Sequence, residues 1–198
     1  MDMLRKAILV GSWVAGVLAA VPASAQWYVG AAVGRTNNEW EPTGLAGDKD
    51  TSTVSKVFFG RQLSPQVSVE AGYANLGKFV DFGSTTAQVE AQSLAFSLLG
   101  TLAASPQVDM FARLGVGAAR SKWTLGGANG TKTNLGPVVG LGVNFRTALA
   151  QRRLVFGFEW EQYQNVGEGA MAGPSRLMGQ NVDTLMLRIV YHFDLLPG

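Results

Sequence analysis

A chain of 198 residues has room for one ordinary domain or one small barrel and requires no second domain. Its 25 Gly, 10% aromatic and 15% charged residues depart from an average soluble protein, in which charged residues make up about 25%, so part of the surface is expected to face something other than water. A formal net charge of +2 with no basic run behind it gives a nucleic-acid partner no support, and the absence of cysteine excludes disulfides and thiolate metal sites.

The chain opens with Arg5 and Lys6, an apolar stretch over residues 7 to 20, then Pro22 and the small triplet Ala23, Ser24 and Ala25. This pattern predicts a secretory signal peptide over residues 1 to 25, cleaved before Gln26. The apolar run falls short of the roughly 20 residues that a membrane-anchoring helix needs. Beyond residue 25 no apolar run of helical-span length follows, so any crossing of a membrane would be made by strands.

The mature chain divides into segments whose residue type switches with period 2, the spacing of a strand with two unlike faces. The first sets Trp27, Val29, Ala31 and Val33 against Tyr28, Gly30, Ala32 and Gly34. The second sets Val57, Phe59 and Leu63 against Lys56, Phe58, Gly60 and Gln62, and the third Val67, Val69, Ala71 and Tyr73 against Ser68, Glu70, Gly72 and Ala74. The fourth, phased with Leu94, Phe96 and Leu98 outward and Ser93, Ala95 and Ser97 inward, is apolar enough to leave a helix as the competing reading. In the fifth, Val108, Met110, Ala112, Leu114 and Val116 oppose Asp109, Phe111, Arg113, Gly115 and Gly117. The sixth sets Pro137, Val139, Leu141, Val143 and Phe145 against glycines, Asn144 and Arg146, and the seventh Leu154, Phe156, Phe158 and Trp160 against Val155, Gly157, Glu159, Glu161 and Tyr163. The eighth closes the chain with Leu187, Ile189, Tyr191 and Phe193 on one face and Arg188, Val190 and His192 on the other.

Eight strands of about ten residues suit a tilted membrane-spanning strand, and the even count returns both ends to one side. The links agree. Short ones at 64–66, 103–107 and 147–152 alternate with longer ones at 37–53, 80–86, 124–132 and 166–180 that are rich in Gly, Asn, Thr and Asp. Short periplasmic turns and longer outer loops are the asymmetry of a bacterial outer-membrane barrel. Two of the short links share Ser-Pro-Gln, which reads as repeated hairpin chemistry. The prediction is therefore all-β: an eight-stranded antiparallel up-and-down transmembrane barrel over residues 26 to 193, preceded by the signal peptide and followed by a short tail over 194 to 198.

An eight-stranded barrel leaves an interior that side chains nearly fill. The inward positions hold Lys56, Glu70, Asp109, Arg113, Arg146, Glu159, Glu161 and Arg188, both signs together, and mutual pairing into a structural or gating network is expected because buried charges need partners. Glu159 and Glu161, two apart on one face, are also the spacing at which two carboxylates share acid-base work. No His, Cys or carboxylate cluster makes a metal site, and the glycine pairs at 115 to 117 and 140 to 142 lack the strand-to-helix setting of a phosphate loop. No cofactor and no catalytic residue are assigned.

In the order and spacing of "WYVGAAVG", "VEAGYANLG", "DMFARLGVGAARSKW", "FGFEWEQY" and the closing "VYHF", the chain resembles the transmembrane domain of outer membrane protein A and its relatives among small eight-stranded barrels, over most of residues 26 to 193. The resemblance implies an outer-membrane location in a Gram-negative cell, a monomer, and contact with outer-membrane lipids. It implies a family-like salt-bridge network at Glu70, Arg113 and Glu159. The family's inward lysines on the first and fourth strands have no counterpart, since Ala32 and small or apolar residues stand there, so the family's gating switch does not carry over. A final strand ending in Tyr191 and Phe193 looks like the signal that the outer-membrane assembly machinery reads. Larger members append a periplasmic peptidoglycan-binding domain, for which the five-residue tail has no room, so a barrel alone is expected.

The function expected is that of a structural barrel whose exposed loops mediate surface interactions. A narrow ion or small-solute pore and a lipid-modifying enzyme are its rivals, and a soluble barrel with an apolar ligand is the rival at the level of fold. For the enzyme, the one histidine, His192, falls at the predicted periplasmic end, opposite the outer leaflet, and "HFD" lacks the His-x-Ser pattern of the lipid A deacylase barrels, so an interfacial histidine is expected instead. The "NGT" at 129 to 131 reads as a turn.

Overall fold

The computed structural model describes residues 26–38, 50–79, 87–125, 128–147, 153–167 and 180–193. The signal peptide expected over 1 to 25 and the tail at 194 to 198 lie outside them. The eight strands are β1 (Trp27–Asn38), β2 (Asp50–Ser64), β3 (Val67–Phe79), β4 (Ala87–Ala103), β5 (Val108–Leu125), β6 (Ala128–Arg146), β7 (Leu154–Val166) and β8 (Gln180–Phe193). Each pairs with its sequence neighbours, and β1 pairs with β8 to close the barrel. Closure leaves no strand edge along the seam, which is how a β-protein satisfies its backbone within lipid.

Alternation fixes the faces. Val29, Val57, Tyr73, Leu94, Phe96, Leu114, Val116, Leu141, Phe158, Leu187 and Ile189 are exposed on the outside, while Tyr28, Phe58, Ser93, Ala95, Ser97, Phe111, Glu159 and Arg188 are buried inside. The fourth segment is a strand in the predicted phase. From Met110 to Ala118 the outward face of β5 climbs about 27 Å along the strand at ~3.4 Å per residue, or about 21 Å along the axis at a tilt of about 40°, close to the roughly 25 Å apolar band of such barrels.

The strands run from 12 to 19 residues, longer than the ten expected. The largest difference falls at 124 to 132, read from its Gly, Asn and Thr content as a loop. There β5 and β6 stay paired to Leu125 and Ala128, with two glycines, Gly126 and Gly127, between them. Ladder pairing joins backbone groups whatever the side chains' polarity, so polar residues past the apolar band still make a strand.

The two Ser-Pro-Gln turns use one device. The Gln66 and Gln107 N–H groups donate to Ser64 Oγ and Ser105 Oγ, each at 3.3 Å, the short side-chain turn that serine makes two residues ahead. At this short-turn end, Trp27 stacks on Phe59 with centroids 5.0 Å apart, Arg61 lies over Trp27, and Tyr191 stacks on Phe193 at 6.5 Å. These aromatics form part of the belt expected at a membrane interface.

Candidate functional site: the charged lumen

Six inward side chains meet at mid-barrel. Glu159 sits at the hub: its Oε1 accepts from Lys56 Nζ at 3.0 Å, and its Oε2 accepts from Arg113 Nη2 at 3.0 Å and from Arg188 Nη1 at 2.6 Å. Glu161 accepts from Lys56 Nζ at 2.5 Å on one oxygen and from the Tyr163 hydroxyl at 2.6 Å on the other. Glu70 lies 2.5 Å from Arg113 Nη1, 3.4 Å from Lys56 Nζ and 3.5 Å from Arg188 Nη2. The Arg113 contacts to Glu70 Oε1 and, at 2.7 Å, to Glu161 Oε1 are charge contacts without the alignment of hydrogen bonds. All six side chains are shielded from solvent.

Adjacent strands explain the assembly. Lys56 stands directly across from Ala32 in the β1–β2 register, so β2 supplies an ammonium beside the site at which the family resemblance leaves a first-strand lysine unmatched. Glycines make room: Lys56 Cε would lie 3.2 Å from a Cβ at Gly72, and Arg188 Cγ 3.1 Å from one at Gly157. The Arg188 guanidinium lies over both the Phe58 and Phe111 rings, 4.7 and 4.6 Å from their centroids, two cation–π contacts that favour its charged group at this point.

The eight charges expected to form one network divide into two. Asp109 and Arg146 pair separately near the short turns, Arg146 Nε and Nη2 donating to the two Asp109 oxygens at 2.7 and 3.0 Å. The Arg146 side chain is half exposed. Below the cluster lies a cavity of 810 Å³ whose lining runs from Arg188, Phe111 and Tyr28 past Asp109 and Arg146 to Pro65 and Pro106 at the short turns. On the other side of the cluster, toward the long-loop end, Val54, Leu76, Val138, Val182 and Met186 fill the interior. The lumen is thus open below, tied by charge in the middle and packed with apolar side chains above. Sequence reasoning did not assign the Tyr163 hydroxyl or the two phenylalanines to this site, although all three stood at inward positions.

Little of this arrangement suits catalysis. Glu159 and Glu161, spaced for acid-base work, are both held by cations. His192 Nδ1 has no hydrogen-bond partner among the described residues, and its ring tilts against Tyr28 at 5.4 Å. Among the described residues no three His, Cys, Asp or Glu side chains are grouped to hold a metal.

Comparison with known proteins matches the OmpA-like transmembrane domain family over residues 22–195. The chain belongs to that family. No curated protein matches it in sequence. Among solved structures, Neisserial surface protein A is similar with a TM-score of 0.64 at 14% identity, covering 86% of this chain and 99% of that one. The attachment invasion locus protein Ail of Yersinia pestis is similar with a TM-score of 0.52 at 16% identity, over 85% and 97%. OprG, an outer membrane protein of Pseudomonas aeruginosa, gives 0.52 at 12%, over 85% and 95%. At such identities these likenesses speak to the barrel fold alone, while membership of the OmpA-like family supports an outer-membrane location.

Proposed function

We propose that this chain is a structural outer-membrane barrel, monomeric and lipid-embedded, with its short turns on the periplasmic side and its long loops presented at the cell surface for interactions there. The observation that carries this reading is an apolar band on the exterior around a lumen tied by paired charge, since a filled barrel serves as a rigid support. Its partners are outer-membrane lipids and the assembly machinery that would read Tyr191 and Phe193. Ail, solved in complex with the heparin analogue sucrose octasulfate, supports the surface role by analogy of fold. Heat-modifiability tests the reading. Protein extracted from outer membranes is expected to migrate differently on a gel before and after boiling in detergent; no shift, or recovery in the soluble periplasm, would overturn it.

The cavity below the cluster is the observation that favours a pore as the second reading. In planar bilayers the native barrel is expected to give no unitary conductance steps. Arg113→Glu, which sets four carboxylates against two cations, is expected to produce them. Steps from the native protein would replace the structural reading with that of a channel.

A further inference from the structure

The outer surface changes character abruptly across four neighbouring strands. One register row runs Tyr73, Leu94, Ala118, Leu135 over β3 to β6, and the next outward row toward the long loops runs Asn75, Gln92, Arg120, Thr133. Arg120 and Lys122 are both exposed, on either side of the buried Ser121, so both side chains leave the barrel on its outer face. Lys122 pairs in register with Glu90, and Glu90 with Lys78, whose Nζ lies 3.2 Å from the Glu90 carboxylate. Two lysines thus flank one carboxylate, and Arg120 stands in the neighbouring row across from Gln92. From Met110 to Arg120 the outward face of β5 spans about 26 Å along the axis at the same rise and tilt, which sets Arg120 where the hydrocarbon ends.

We propose that Arg120 and Lys122, flanked by Lys78 and Gln92, form a binding site on the outside of the barrel for the phosphate groups of a phosphorylated glycolipid in the outer leaflet. The inference rests on the orientation given above, with the long loops outward. Charge complementarity and continuity with the apolar band name the occupant: acyl chains lie along Leu94, Val116 and Ala118 while the phosphates meet the guanidinium and ammonium directly above. A guanidinium binds phosphate as a two-pronged donor and an ammonium as a point charge, and Gln92 adds a neutral amide beside them.

The test is binding of bisphosphorylated lipid A to the full barrel in neutral detergent at low salt, against the same lipid stripped of phosphate. The native barrel is expected to prefer the phosphorylated form. Arg120→Glu with Lys122→Glu is expected to weaken that binding at least about thirtyfold, from two lost surface attractions of the usual size. Arg35→Glu, exposed on β1 across the barrel, is expected to change it less than about threefold on the same basis. Equal binding of the two lipids, retained affinity in the double variant, or an equal loss with Arg35→Glu would overturn the site. Each variant is first checked for the gel shift on boiling; if the double reversal lacks it, Arg120→Gln with Lys122→Gln, which loses the same two attractions without adding repulsion, is measured against the same criteria, with about a thirtyfold loss expected. A native protein without the gel shift would sink the membrane reading itself, whereas a shifted barrel with unchanged binding sinks only the lipid site.

Discussion

Glu159→Gln is expected to destabilise the barrel by about 3–5 kcal/mol, the cost of breaking a buried ion pair from one side. Glu159 touches all three cations of the cluster. With it neutral, three buried cations would face two carboxylates in a site shielded from solvent. The amide keeps the shape, so packing is nearly constant and the loss reads charge. Urea unfolding of the detergent-folded barrel would show it as a midpoint lower by about 2 M, for a slope typical of small proteins. Asp109→Asn supplies the contrast: its partner Arg146 is half exposed and can turn to water, so a loss below about 1 kcal/mol is expected. Equal losses for the two substitutions would mean that the cluster is no more consequential than an exposed pair.

Gly34→Val is expected to prevent closure altogether. Gly34 lies on the β1–β8 seam opposite Met186, and a Cβ added there would run into the Leu185 carbonyl oxygen and come within 2.6 Å of Met186 Cα. The obstacle is backbone, which cannot rotate aside. Overpacking against mobile side chains costs about 1–3 kcal/mol, and here the displaced atoms belong to the ladder that seals the barrel. Valine has the higher intrinsic preference for a strand, so propensity and sterics make opposite forecasts. The measurement is the gel shift after refolding: it should vanish for Gly34→Val and persist for Gly100→Val, where an added Cβ meets nothing within 4 Å. A normal shift for Gly34→Val would show that the seam has slack.

The phase of every strand was legible because one face meets lipid and the other the lumen, and a one-residue slip would exchange them. The fourth segment was the least distinct, because Ser93 and Ser97 are four apart, a spacing that one face of a strand and one face of a helix share; its place among alternating neighbours decided for the strand. Length was less legible. Beyond the apolar band, β5 and β6 continue with Arg120, Lys122, Thr131 and Thr133, where water permits either a loop or a ladder and composition alone favours the loop. Least legible was the division of the inward charges. Lys56 and Glu161 are 105 residues apart, and their meeting depends on strand stagger, which alternation does not encode. Asp109 and Arg146 have the same inward phase but stand too close to the short turns to join the hub.

Within the hub, three positive groups, Lys56, Arg113 and Arg188, are matched by three negative ones, Glu70, Glu159 and Glu161. A voltage across a membrane acts on a single elementary charge with about 2.3 kcal/mol per 100 mV, but on a balanced set held at one depth the forces cancel. The cluster offers an applied potential no net gating charge to pull on, so the stopper at mid-barrel stays indifferent to the electrical polarity of the two faces it separates.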